Sequence, residues 1–367
     1  MNTVIEQDIW ETLLAPISED KPTGTDTRED ISPTSLYQTI RDARAVARNN
    51  ERSNLAVGEI NYFSLPDWAI IAEQAPILLA EQSKDLEIVA WYIEALTRLH
   101  GFAGIATGFS LARELIAQFG SNLYPVIDED GIASQLASLS GLNGFGAEGT
   151  LVGPIKSIAI TQGEPPGPLA TWQCEQAFEI ARINDEDRRE ARLRQGGVAK
   201  EEMDRVVSET SSVFFEKLVS DLSMAIDSYA QYQAVLDAYA ESDPQPTAKI
   251  KSTLEECKQN LVYLIGDKFT QASTEEQEEP EQSPQDQTTP KQENKISKSI
   301  NSRDDAIKQL HVIANFFKKT EPHSPISYSI EQVIRWSSLP LVDLINELIP
   351  DESARSKFKH LSGISQE

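Results

Sequence analysis

Residues Gln271 to Ser299, QASTEEQEEPEQSPQDQTTPKQENKISKS, hold no aromatic side chain and almost no aliphatic one, and acids crowd the first half. Ordering a residue's backbone costs roughly 1–2 kcal/mol, and this stretch has no apolar area whose burial could offset it. A disordered acidic linker is predicted over 271–300, so whatever folds must fold separately on its two sides. As a flexible chain it spans about 30 Å root-mean-square, and more where its charges repel. Four parts follow: an N-terminal helical domain over 1–165, a middle helical domain over 166–270, the linker, and a C-terminal module over 301–367.

The N-terminal part has helical rather than strand periodicity. A Pro/Gly/Asp-rich loop from Pro16 to Pro33 precedes a polar helix near Ser35–Arg52. Ser64-Leu65-Pro66-Asp67 resembles a capping box ahead of the apolar run Trp68–Leu79. The next helix is predicted to start at Ser83 as N-cap, with Asp85 and Glu87 in its first turn and Gly101 at its end. Leu86, Val89, Ile93, Leu96 and Leu99 form one apolar stripe, while Ile88, Trp91 and Ala95 occupy another face. A helix apolar on two faces is buried between layers. In the helix after it, Gly104 and Gly108 sit one turn apart. Each glycine costs on the order of 1 kcal/mol there, so the pair predicts a face that another backbone approaches closely.

Gly141–Pro168 reads as loop with a short strand at Ile155–Ile160. In the middle part Leu218, Leu222, Ala225, Tyr229, Tyr232, Leu236 and Tyr239 follow a 4-3-4-3-4-3 spacing, an a/d seam. Ile250, Leu254, Cys257, Leu261 and Leu264 echo it beyond the break at Asp243-Pro244. With a helix near Trp172–Arg194, this predicts a helical hairpin or three-helix bundle, its seam closed within the chain or, alternatively, between chains.

Past the linker, Ala306, Leu310, Ile313 and Phe317 mark a helix stopped by Glu321-Pro322, and Ser324-Pro325 starts another. Leu341, Leu344, Ile345 and Leu348 form a third stripe between Pro340 and Pro350. So small a core, with Phe316, Phe317, Trp336 and Leu348 available, predicts stabilisation by self-association. The fold class is therefore all-α throughout.

Composition narrows the chemistry. The net charge of −25 repels phosphate backbones, so nucleic acid is not an expected partner; it suits basic partners, or is simply an acidic cytosolic surface. No apolar run nears the roughly 18 residues of a membrane span and the N-terminus lacks a secretory pattern, so a soluble, cytoplasmic protein is expected. Cys174 and Cys257 lie in helical patterns, outside any metal-ligand spacing. Gly144-Phe145-Gly146-Ala147-Glu148-Gly149 has the letters of a dinucleotide fingerprint without the preceding strand or following helix. His100, His311, His323 and His360 have no partner at catalytic or ligand spacing. No catalytic residue, cofactor or metal is expected.

Two stretches carry a family resemblance. KDLEIVAWYIEALTRLHGFAGIATGFSLARELIAQFGSNLYPVIDEDG, residues 84–131, resembles the N-terminal domain of the TssA (ImpA) family of type VI secretion systems. Asp26, Lys84, Asp85, Trp91, Gly101, Gly104, Tyr124 and Pro125 match its motif, and Gly120 stands where that family's run has tryptophan. Phe317, Glu321, Pro322, His323, Pro325, Trp336 and Leu344 resemble the tail of the shorter members. The resemblance implies a non-enzymatic scaffold: a homo-oligomeric ring, built through the C-terminal region, that contacts baseplate, sheath and tube proteins and primes tail assembly. Phe316, Phe317, Glu321, Pro322, His323, Pro325, Trp336, Leu344 and Leu348 are then the candidate ring interface. A ring on mobile linkers would hold several N-terminal domains at high effective concentration. The alternatives are a general helical adaptor unrelated to secretion, and an enzyme with an acidic cleft that no spacing in the chain suggests.

Overall fold

All regular elements among the described residues are helices, joined by a few isolated β-bridges. The computed structural model describes residues 4–56 and 66–275, the helix Ile326–Ser337, and scattered residues between 307 and 355. The chain divides into two units, Met1–Pro280 and Glu281–Glu367.

In the first unit, α1 (Gln7–Leu14), α2 (Leu36–Ala56), α3 (Asp67–Glu81) and α4 (Leu86–Phe119) form the N-terminal layers. Ser83 does not cap α4. Residues 82–84 pair instead with residues 23–25, and the helix starts two residues later than expected, capped by Asp85. That carboxylate accepts from the Glu87 and Ile88 amides at 2.8 and 3.4 Å. The buried positions of α4 run around its whole circumference, as the two-faced pattern predicts.

Gly101 breaks α4 with φ +56°, a conformation that glycine adopts without steric penalty. The chain turns there, and its second half folds back on the first. A Cβ on Gly104 would sit 2.0 Å from the Leu96 carbonyl oxygen, and one on Gly108 would sit 2.7 Å from Ile93 Cγ1. The close backbone approach expected of this glycine pair is thus α4 packing on itself.

α5 (Ile132–Asn143) and α6 (Val152–Lys156) follow. The strand expected at Ile155–Ile160 is not there. Ile155 belongs to α6, and only a single bridge, Ala159 to Ala170, remains, with the Ile160 amide donating to Leu169 O at 2.8 Å. The helix expected over 172–194 is two: α7 (Thr171–Ala181) and α8 (Glu186–Arg194). α7 buries Cys174, Ala177 and Ile180, whereas α8 buries nothing and is capped by Asp185, whose side chain accepts from Arg188 N at 2.9 Å. Burial ends at Ile180, and so does the reason to continue straight.

After α9 (Lys200–Glu209), α10 (Ser212–Tyr239) and α11 (Ala248–Glu275) complete the unit. The a/d seam of α10 is buried within the chain, and much of it lies on α4. Phe109 of α4 meets Tyr229 edge-on at 4.7 Å between ring centres and Tyr232 at 5.0 Å. Ser110 Oγ lies 3.2 Å from Ser228 Oγ. Tyr239 rests beside Gly120, where a Cβ would lie 3.6 Å from its ring. α11 runs to Glu275, past the start of the polar segment, because Gln271, Ala272 and Glu275 are good helix formers that extend an existing helix readily. The rest of the expected linker lies outside the described residues, as does Ser64.

Candidate functional site

The motif residues of the N-terminal part come from three separate segments that meet side by side. The Lys84 amide donates to Thr23 O at 2.9 Å, and Thr25 N donates to Gln82 O at 3.1 Å. On the other side Tyr124 N donates to Lys84 O at 3.0 Å, and Leu86 N donates to Tyr124 O at 2.7 Å. The Tyr124–Pro125 peptide is cis. Asp26, Lys84, Asp85, Tyr124 and Pro125 are therefore one cluster. Trp91 lies farther along α4, its ring 5.8 Å from Tyr37, and Gly101 and Gly104 form the turn at the far end.

Arg28 is the hub of this cluster. Its guanidinium donates to Asp26 at 2.9 Å, to both oxygens of Asp85 at 2.7 and 3.1 Å, and to Glu87 at 2.8 Å. Tyr37 OH adds a donor to Glu87 at 3.1 Å, and the guanidinium lies 5.4 Å from the Tyr37 ring centre. Asp85 is fully buried. Burial pushes its carboxyl up, against the pull of Arg28 and the helix amides. Arg28 itself moves up, because its carboxylates outweigh the burial that would lower it.

Lys84 is buried without a carboxylate. Its Nζ donates to Leu13 O at 2.7 Å and to Leu79 O at 2.9 Å. These are carbonyls near the C-terminal ends of α1 and α3, where helix dipoles favour a cation. Burial still pushes the ammonium down to about 8.

A second network was invisible in the sequence. Arg98, buried in α4, donates to both oxygens of Glu51 at 2.6 and 3.0 Å, and the Trp68 indole donates to the same carboxylate at 2.9 Å. Arg48 adds a bond to Glu51 at 2.9 Å. Nearby, Arg44 Nε donates to Glu94 at 2.5 Å while standing 5.4 Å from the Trp91 ring centre. Burial raises the Glu94 carboxyl, but Arg44 and Arg98 together outweigh it and hold it below its ordinary value. Apart from Arg48 and Glu51, three residues apart on α2, the partners lie about one helix apart or more in sequence, so no local spacing signals them. Trp68, expected only as part of an apolar run, is the anchor of the pair.

These charges tie helices α2, α3 and α4 and the loop at 23–28 together. Among the described residues no three His, Cys, Asp or Glu side chains gather as a metal ligand set. No helix among them is long and apolar enough to cross a membrane. Cys174 and Cys257 are free and buried, and burial raises both thiols, to about 12 and about 11.

In the second unit, Phe317, Trp336, Leu344 and Leu348 are described. Phe316, Glu321, Pro322, His323 and Pro325 lie outside the described residues. Trp336 is half-buried, and its indole donates to Glu347 at 3.1 Å, a carboxylate also held by Arg335. The Trp336 bond, then Arg335, lower the Glu347 carboxyl. Ile313, Tyr328, Val333 and Leu348 are exposed. Leu348 thus presents an apolar side chain, whereas Trp336 is held partly within its own unit.

Residues 14–144 match the family described as ImpA, N-terminal, type VI secretion system. The chain is 22% identical over 360 residues to the type VI secretion system component TssA1 of Pseudomonas aeruginosa, an alignment spanning 97% of this chain and 98% of that protein. A solved structure, the N-terminal domain including the conserved ImpA_N region of the TssA component from Burkholderia cenocepacia, superposes with a TM-score of 0.60 at 21% identity. It covers 72% of this chain and 98% of its own. At that identity the likeness is one of fold.

Proposed function

We propose, from the premise that this chain belongs to the TssA family of type VI secretion system components, that it is a non-enzymatic scaffold of tail assembly. In this reading the C-terminal module, over 301–367, closes a homo-oligomeric ring in the cytoplasm. The helical domains, carried on the acidic linker, engage baseplate, sheath or tube proteins and help prime their assembly. The observation that carries it is the alignment with TssA1 along nearly the full length of both chains, which takes in the C-terminal part as well as the N-terminal domain. Two further features support it. The buried carboxylates Glu51, Asp85 and Glu94 are all engaged by arginines that join helices. Exposed Ile313, Tyr328, Val333 and Leu348 give the second unit apolar surface suited to self-association.

Light scattering on the full chain, with affinity capture of co-expressed sheath and baseplate proteins from the same bacterium, tests the reading. A multimeric mass with specific capture is expected. A monomer that captures neither protein would favour a general helical adaptor instead.

A further inference from the structure

We infer that the open groove between α1, α3 and the first half of α4 is a docking site for an amphipathic helix with basic flanks, supplied by a different protein. The groove has a volume of about 560 Å³. Its apolar wall includes Ile9 of α1 and Ile77 of α3, each 41% exposed, together with Pro76 of α3. Isoleucines left this open on facing elements are what helix-in-groove recognition uses as contact surface.

The rim decides which helix fits. Glu6, Asp8, Glu73 and Glu81 line the same groove, all four exposed. None is paired with a basic side chain among the described residues, although many other carboxylates of this unit are. Pro76 adds one more acceptor. Lacking an N–H, it leaves the Ala72 carbonyl, also on the groove, without its usual helical donor. The surface therefore offers apolar area ringed by acceptors, complementary to leucines flanked by lysine or arginine. A second copy presenting the same acidic rim is disfavoured at this groove by like-charge repulsion, and so is nucleic acid.

This inference deepens the scaffold reading and rests on it for the existence of a partner. Its test is separate. A fluorescein-labelled peptide of about four helical turns, with leucines at i, i+3, i+4 and i+7 and lysines at both ends, is titrated into the full chain and followed by anisotropy. Saturable binding is expected, weakened at least about tenfold by Ile77→Glu. That variant adds a negative charge, so general attraction to an acidic protein would instead tighten binding; the two causes differ in sign. Ile9→Ser, which adds no charge, is expected to weaken binding too, and circular dichroism checks that both variants keep their helicity. Glu73→Gln with Glu81→Gln is expected to weaken binding and flatten its salt dependence.

Absence of saturable binding, unchanged or tighter binding to Ile77→Glu, or equal binding of a glutamate-flanked peptide would each overturn the inference. A fall in the mass of the full chain caused by Ile77→Glu would assign the groove to a second copy and overturn it as well. Any of the peptide results leaves capture of sheath and baseplate proteins unaltered, so the scaffold reading stands or falls on its own measurement.

Discussion

The guanidinium of Arg98 lies 4.0 Å from the centre of the Trp68 ring, and both side chains bond the same buried carboxylate, Glu51. One acid on α2 is thus clamped by a cation from α4 and an indole from α3. Removing one partner of a buried pair leaves an uncompensated charge, which costs far more than removing both. Arg98→Leu leaves Arg48 as the remaining cation on Glu51 among the described residues and is expected to destabilise the chain by about 3 kcal/mol, the lower end of that cost. The double variant with Glu51→Leu should cost less than that single one, despite the donors it leaves on Trp68 and Arg48. Urea unfolding of the three proteins checks the order; a double variant worse than Arg98→Leu would show that the pair is not the source of the stability.

Gly104 and Gly141 are both helical glycines with opposite surroundings. A Cβ at Gly104 would meet the Leu96 carbonyl at 2.0 Å, whereas one at Gly141 would have nothing within 4 Å. Gly104→Ala is expected to destabilise by about 2 kcal/mol or more, as overpacking against backbone does. Gly141→Ala should stabilise by about 0.5–1 kcal/mol through helix propensity. Thermal melts of both variants read the two signs directly.

Lys84 predicts a pH dependence. Its ammonium is pushed from 10.5 down to about 8 by burial, so between these values the unfolded chain binds the proton that the folded chain has released. Stability from this group therefore rises with pH through that window, with a slope approaching about 1.4 kcal/mol per pH unit. Buried Cys174 and Cys257, their thiols raised, contribute the opposite slope above the ordinary thiol range. Their effect cancels in a comparison with Lys84→Met. The stability of the native chain relative to that variant should grow from pH 8 to 10, measured by urea midpoints; a constant gap would mean that Lys84 titrates normally.

The ring assignment makes its own prediction. Leu348→Asp, on a side chain that is 51% exposed, and Trp336→Ala should both lower the mass of the full chain in solution. Light scattering reads it. A mass unchanged in both variants would remove these residues from the interface.

Helical periodicity placed most of the elements correctly, since the spacing of Leu86, Val89 and Ile93, or of Leu218, Leu222 and Ala225, is a local property of the chain. Where the reading missed, the cause was a contact from elsewhere. Ser83 has the chemistry of an N-cap, but the strand-like pairing of residues 82–84 with 23–25 passes that role to Asp85. The heptad seam of α10 is written in its own residues, yet nothing in them names α4 as the surface it covers.

The candidate site divides the same way. Lys84, Asp85, Tyr124 and Pro125 were legible as a motif because they stand in fixed order along one stretch. Their use was not: Arg28, which holds Asp85, and Leu13, whose carbonyl takes the Lys84 ammonium, lie 57 and 71 residues away. By itself the sequence determined that this chain is helical, acidic and divided by a polar segment, because propensity, charge and apolar spacing are additive along the backbone. Only the tertiary structure decided which carboxylate meets which arginine, that α4 folds back on itself at Gly101, and that the wall of α1 and α3 stays open. Those are choices among distant partners, and burial energy selects them only when the whole unit closes.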